Sequence, residues 1–519
     1  MLTPYLAITV LLCIAAFLFR RLSLRQQVAQ DDKVIGNKHG CLPPPVFKNQ
    51  WPLGVDRLEQ LFRANAESRL MEHFLGNFRQ MGSTFMTLFL GNAGYATMEP
   101  ANLEALLSTN FNDYSMGPRR EVFFPMFGDG IFTQDGQAWK DSRQILRPQF
   151  MHRQYEDLSI FKESVDDLIE AIDKNLDSEG VVDLQPLFFG FTLDTTTAFL
   201  FGESVRSLKA STSTGDQTFA EAFNIAQDYI AKRMRLVDLY WLIGGKKFRK
   251  ACRTVHEFAD SIIDRNLSRD RTAGDQKQFV FLDSLAEHVS DRIAIRGQII
   301  NILIAGRDTT ACLLSWTFFL LVRHREVLQK LRAEIKRYLV HDSYTRKDLL
   351  DIRYLQNVLK ETLRLYPSVP VNTRSAVRTT ILPTGGGPDG TQPVLIPKST
   401  GVAFSVYAMH RRPDLYGMDA ELFRPERWDE PLPMDYDSIN AKWGYLPFNG
   451  GPRVCLGMDF ALTEASYAVA RILQEFPRLG LPPNEKVDIV GVEKQTMTLV
   501  VSITDGCKVQ MTNYEAKHR

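Results

Sequence analysis

Paired cysteines are missing from this sequence. The six cysteines stand at 13, 41, 252, 312, 455 and 507, with no C-x-x-C among them, so neither a zinc site nor a disulfide-stapled scaffold is indicated. Charge of one sign is lacking too: 62 basic residues face 61 acidic ones. The chain carries no overall electrostatic footprint for a nucleic acid, and no such partner is expected. Low-complexity segments and internal repeats are absent from about residue 46 onward, and no run beyond the N-terminus reaches the ~18 uninterrupted apolar residues of a membrane span. Phosphate-binding loops are missing as well. Gly385-Gly386-Gly387 is followed by neither a lysine nor a helix and reads, with Pro388-Asp389-Gly390, as a hairpin-type turn. What is present is ordinary for a globular protein, 44% hydrophobic and 24% charged over 519 residues, with ample material for a large core.

The one long apolar run is Leu2 to Phe19. As a helix it would measure about 27 Å, just short of the roughly 30 Å hydrocarbon layer, and Arg20 and Arg21 could snorkel to supply the rest. Its positive charge follows the run, at Arg20, Arg21 and Arg25, whereas a cleaved signal carries charge before it. Residues 1–21 are therefore expected to form a single-pass anchor with the body on the cytosolic side. Residues 22–45 are expected to be a linker ending in a stiff hinge at Pro43-Pro44-Pro45, and 46–519 one folded domain. Apolar spacings of three and four predict helices over 158–176, 219–232, 254–267 and 326–338. Strand-like pieces are short, at 84–90, 394–396 and 498–503. The predicted class is mainly α with a minor β part.

The stretch richest in chemistry is Phe448-Asn449-Gly450-Gly451-Pro452-Arg453-Val454-Cys455-Leu456-Gly457. An iron that cleaves dioxygen needs an electron-rich axial ligand, which a thiolate supplies. Glycines at 450, 451 and 457 let backbone N–H groups approach the sulfur. Phe448 shields it, and Arg453 can pair with a carboxylate of the iron's porphyrin. The apolar stretch 458–473 that follows predicts a helix whose N-terminus favours the thiolate.

Other segments fall in supporting order. Glu361 and Arg364 share a helix face, and Phe423-Arg424-Pro425-Glu426-Arg427-Trp428 lies between them and Cys455. Trp139 and Arg143, four residues apart, could grip one propionate together. Ala305-Gly306-Arg307-Asp308-Thr309-Thr310 puts polar residues and a glycine inside an apolar segment, a local conflict that points to function. A widened helix turn is expected there, and buried Arg307 needs a partner that the sequence does not name.

With these motifs in this order, the chain resembles the cytochromes P-450 over essentially its whole length. The resemblance implies the cytochrome P-450 fold and a haem b whose iron takes Cys455 as axial thiolate. Arg453, Trp139, Arg143, Arg374 and Phe448 would bind the cofactor. Glu361, Arg364 and Arg427 would form a structural triad, in which Trp428 replaces the usual Phe. Thr309 would donate a hydrogen bond where dioxygen is reduced, and Asp308 would relay protons. Some relatives esterify their haem through a Glu at the position of Ala305, so the haem here is expected to be held without a covalent bond. The chain runs 62 residues past Gly457 and carries no Gly-x-Gly-x-x-Gly that opens a helix. A separate NADPH-cytochrome P-450 reductase is therefore the expected electron donor, with cytochrome b5 as an optional second. The expected docking face is near Lys442 and Arg453, with Arg411 and Arg412 adding charge.

The segments 38–41, 130–133, 147–150, 305–311 and 382–390 are similar to those of the fungal cytochromes P-450 that hydroxylate alkanes and fatty acids near the chain end. They imply a long aliphatic substrate that passes a loop bearing Phe123, Phe124, Phe127 and Phe132, and a location in the endoplasmic reticulum membrane. A tailoring monooxygenase of fungal secondary metabolism, acting on a polyketide or terpenoid, is the alternative. A haem-thiolate isomerase or dehydratase that uses no dioxygen is a further class; such proteins commonly alter the Asp-Thr pair, which stands here at Asp308 and Thr309.

Overall fold

The computed structural model describes residues 30–512 apart from 90–91, 152–154, 157, 210–215, 268–280, 340–343, 484, 486 and 488–492. The anchor expected at 1–21 lies outside the described residues. Among those described, no helix is long and apolar enough to cross a membrane.

Helices dominate, as the periodicity predicted. Ser159–Lys174, Asp216–Arg235 and Arg325–Tyr338 replace three predicted stretches with slightly shifted ends, and Lys246–Leu267 starts about two turns before the predicted residue 254. The longest helix, Arg292–Arg323, begins at Asp291, whose side chain accepts the Ile293 N–H at 3.0 Å. It is apolar on nearly every side because it runs through the core, buried from Ile295 to Val322 with few breaks. Trp316 fixes its far half: the indole donates to the Val501 carbonyl at 3.0 Å and stacks on Tyr366 at 3.8 Å.

The β part is small. Thr84–Phe89, Asn92–Thr97, Gly401–Ser405, Val371–Ala376 and Tyr114–Ser115 form one sheet in that spatial order, with a separate apolar cluster around Phe404, Val402 and Trp443. Thr380–Gly386 and Gln392–Ile396 pair antiparallel across the glycine turn, where the Gly385 N–H meets the Gly390 carbonyl. The predicted 498–503 strand is shorter than expected, Val501–Ile503, and it pairs with Gln495–Met497.

The linker reading needs correction. Residues 30–38 are helical, and the proline segment is fastened to the body. The Leu42 N–H donates to Pro393, while Pro43 and Pro45 accept from Gly387 and Met86. Prolines have no N–H but keep a carbonyl, so this edge is stitched through acceptors. The folded body therefore starts before residue 46.

Candidate active site

Cys455 sits in a short loop just before the helix Met458–Glu475. It lies deep in the protein yet keeps open surface, the mark of a side chain facing an interior space. Its N–H donates to the Phe448 carbonyl at 3.0 Å, which closes the loop. The three glycines divide their work differently from expectation. A side chain on Gly450 would run into the Trp443 ring, and one on Gly451 (φ +65°) would collide with the Leu107 carbonyl. Only the Gly457 N–H acts on the sulfur. Burial pushes the free thiol up, against Gly457 and the nearby Arg143. The thiolate thus needs a bound cation to form, as coordination of a thiol provides.

A second wall of this space is the long helix. Thr310 hydrogen-bonds Glu464 on the Met458–Glu475 helix, six residues or about 9 Å along from Met458, which brings Thr309 and the Cys455 loop to one region. Between Ile299 and Val322 the helix is buried everywhere except at Ala305, Gly306 and Thr309, which share a face. The helix is continuous here; the expected widened turn is absent. Instead the Thr309 hydroxyl donates to the Ala305 carbonyl at 2.6 Å, and the Thr309 carbonyl accepts from Ser368 at 2.9 Å. Gly306 has a packing reason: a Cβ there would lie 2.5 Å from Thr196 Oγ1 on the neighbouring helix Leu184–Phe201.

Asp308 points away from Thr309, towards the helix Asp216–Arg235. Its carboxylate accepts from Gln227 and, at 2.8 Å, from Arg307. Burial raises its pKa, opposed by Arg307 and Gln227. The unnamed partners of Arg307 are now clear: Asp308, Asn224 at 3.3 Å, and the rings of Phe189 and Phe223 at 5.0 Å each.

The cofactor cradle is cationic. Arg374, on the strand Val371–Ala376, is buried with Nε unpartnered, and so is the Nε of Arg119. Burial, together with Arg119 and Arg453 as like-charged neighbours, pushes Arg374 down to about 9. Burial likewise brings Arg119 to about 10, with Arg453 adding to the shift and Asp135 opposing it. Arg453 donates to Asp135 at 2.7 Å and lies 4.3 Å from the Trp139 ring. Three guanidinium groups thus share one carboxylate, and two keep a buried N–H without an acceptor. A dianionic edge such as a porphyrin's two propionates fits this donor set. Arg119 was missed from the sequence, since it belongs to no motif; its only signal was an Arg-Arg pair opening the phenylalanine segment.

Trp139 and Arg143 lie side by side, the guanidinium 5.9 Å from the indole; Arg143 also donates to the Val454 carbonyl at 3.0 Å beside Cys455, and Trp139 packs under Arg453. The phenylalanine loop is largely a helix, Arg119–Phe127, with Phe123 and Phe127 buried 4.9 Å apart and Phe124 exposed. The docking cations are mostly spoken for as well. Arg411 pairs with Glu421, Arg412 with Glu99 and Asp414, and Arg453 with Asp135, which leaves Lys442 exposed.

The triad is present. Arg364 grips Glu361 through Nε and Nη2 at 2.8 Å each, and Arg427 reaches the same carboxylate at 3.2 Å.

The cytochrome P-450 family model matches residues 58–503. Among curated proteins, a cytochrome P-450 of Arthroderma benhamiae is 44% identical, covering 93% of this chain and 94% of its own length. Cytochrome P-450 52A5 of Candida maltosa is 45% identical over 80% of each chain. Cytochrome P-450 monooxygenase g430 of a Fusarium species is 39% identical over 91% of this chain and 84% of the relative.

Proposed function

Because the chain belongs to the cytochrome P-450 family of haem-thiolate monooxygenases, we propose that it hydroxylates a long aliphatic chain, a fatty acid or an alkane, near its end. The observation that carries this reading is the narrow, half-buried strip at Ala305 and Thr309 on an otherwise buried helix. A slender chain fits beside small side chains, and each methylene it buries adds about 0.8 kcal/mol. The resemblance to fungal alkane and fatty-acid hydroxylases supports it, as do several relatives named 52A at 40–45% identity.

Haem, when bound, supplies an iron that activates dioxygen under the electron push of a thiolate. Cys455 would be that thiolate, held by the Gly457 N–H and screened by Phe448. Arg119, Arg374 and Arg453 would hold the propionates, with Trp139 beneath Arg453. Ala305 has no carboxylate, so no ester forms at that position. Thr309 would position a proton donor at Oγ1 above the open face, and Asp308 would pass protons through its contacts with Arg307 and Gln227. Electrons would come from an NADPH-cytochrome P-450 reductase on the same endoplasmic reticulum membrane, reached through the 1–21 anchor.

The test is full-length protein reconstituted with reductase and NADPH and offered a series of fatty acids and alkanes. Expected are affinity that rises with chain length and alcohols at or near the chain end, with Cys455→Ala losing the thiolate carbon-monoxide band and all product. Flat affinity along the series, with tight binding of a polycyclic metabolite, overturns the reading in favour of a tailoring role.

A further inference from the structure

Six arginines are buried among the described residues: 233, 307, 364, 374, 411 and 427. Five are accounted for. Arg307 meets Asp308, Arg364 and Arg427 meet Glu361, and Arg411 meets Glu421. Arg374 belongs to the propionate cradle. Arg233 is left, with no carboxylate paired to it among the described residues. Its Nη1 donates to the Ile243 carbonyl at 2.9 Å and its Nη2 to the Glu121 carbonyl at 3.3 Å, while Nε is shut from solvent without an acceptor. The guanidinium is 4.9 Å from the Tyr240 ring and 5.4 Å from that of Phe248. A guanidinium stays charged in proteins, and burying one without an anion costs several kcal/mol. Two carbonyls supply only part of what five N–H donors can take.

Its place in the fold says which anion. Arg233 lies on the helix Asp216–Arg235, the same helix whose Asn224 and Gln227 touch Arg307 and Asp308. Nine residues separate Asn224 from Arg233, about 13 Å along the axis. The carbonyl partner of Nη2, Glu121, belongs to the helix that also carries Arg119, Phe123 and Phe127. Arg233 therefore stands where the helices Asp216–Arg235 and Arg119–Phe127 meet, about 13 Å along the first from its contact with Arg307. The 3₁₀ segment Val237–Leu242 and Ile243 fold back over it, so it is covered.

We propose that the Arg233 guanidinium binds the carboxylate of a medium- or long-chain fatty acid, with the methyl end directed at Ala305 and Thr309. The proposal rests on the aliphatic reading above and narrows it, from alkanes and acids alike to the acid. It also gives that reading a cause for oxidation at the remote end. A head group held by the unpartnered Nε and the remaining N–H donors of the guanidinium sets the register of the chain, and the carbon that reaches the open face is then decided by length.

The experiment compares lauric acid, methyl laurate and dodecane on the full-length haem-loaded protein. Binding is measured by equilibrium dialysis, and product position by mass spectrometry in the reconstituted system. A charge-assisted pair is expected to make the acid bind roughly tenfold or more tightly than its methyl ester. Arg233→Gln should erase that preference and spread hydroxylation away from the chain end, while Arg233→Lys should restore part of it. The wild-type comparison of acid with ester needs no variant, so it stands even where Arg233→Gln fails to fold. Equal binding of acid, ester and alkane overturns the anchor and leaves the aliphatic reading intact. Failure of all three to bind overturns both.

Discussion

Arg364 and Glu361 face each other in a two-point ion pair, 2.8 Å at each oxygen, with both side chains wholly buried. Arg364 also donates to the carbonyls of His410, Ala420 and Leu422. It thus ties the helix Arg353–Leu365 to the segment that leads to the cysteine loop. Removing one member leaves the other charge buried. Arg364→Ala is expected to cost about 3–5 kcal/mol and to yield little soluble, haem-loaded protein. Arg364→Lys should rescue poorly, because an ammonium cannot reproduce the planar fork. Thermal denaturation and haem content per chain measure both.

The unusual Trp428 has a partner that a phenylalanine could not provide: its indole N–H donates to Glu361 Oε2 at 3.1 Å. Trp428→Phe keeps ring contacts with Tyr416 and Tyr445 but drops this bond. A loss of about 1 kcal/mol is expected, well below the effect of Arg364→Ala. Chemical denaturation of the two variants side by side checks the ranking.

Gly306 owes its identity to a neighbour. The Cβ of Gly306→Ala would meet both Oγ1 and Cγ2 of Thr196, at 2.5 and 2.9 Å. The overlap is expected to cost about 1–3 kcal/mol, more than the ~1 kcal/mol that alanine gains in helix propensity. Thr196 Oγ1 is buried without a partner, so Thr196→Ala alone should cost little. In the double variant most of the penalty should vanish. Additive effects in the double-mutant cycle would show that the contact is not the cause.

Features whose meaning is local were legible in the sequence. The helix that follows Cys455, the Glu361–Arg364 spacing and the hairpin at 385–390 each depend on neighbours within a few residues, and all three hold in the structure. Helix positions followed from apolar spacing for the same reason. What escaped was set by long-range packing. Spacing placed Trp139 and Arg143 on one helix face but did not say that Arg143 reaches the Val454 carbonyl. A glycine inside a helix signalled a local break; the structure answers with a close helix crossing instead. Arg119 and Arg233 look like surface arginines in sequence, since only the fold reveals that each is covered.

Thr309 is the polar member of the open face, its hydroxyl resting on the Ala305 carbonyl. Thr309→Ala removes a hydroxyl from a helix interior without opening a large cavity, so folding and substrate binding should persist. Electrons should then leak to hydrogen peroxide, because the proton is no longer held in place. The ratio of product formed to NADPH consumed is the measurement. A ratio equal to that of the wild type would remove Thr309 from the proton path.

Glu464 gives a pH signature for the core that no motif announced. It is fully buried, accepts from Thr195 and Thr310, and leaves Oε2 unpartnered. Burial pushes its carboxyl up to about 8, against those two hydrogen bonds. The folded state therefore holds this proton across a range in which the unfolded chain has released it. Stability from this group is fully present below the unfolded value near 4.5 and is lost as pH rises to about 8, with no further loss above. The loss is on the order of a few kcal/mol. Glu464→Gln imitates the protonated form at every pH. Its stability relative to the wild type should climb between pH ~5 and ~8 and then level off. Denaturation curves for the two proteins at several pH values decide it, and parallel pH profiles would show that Glu464 titrates alike in the folded and unfolded chains.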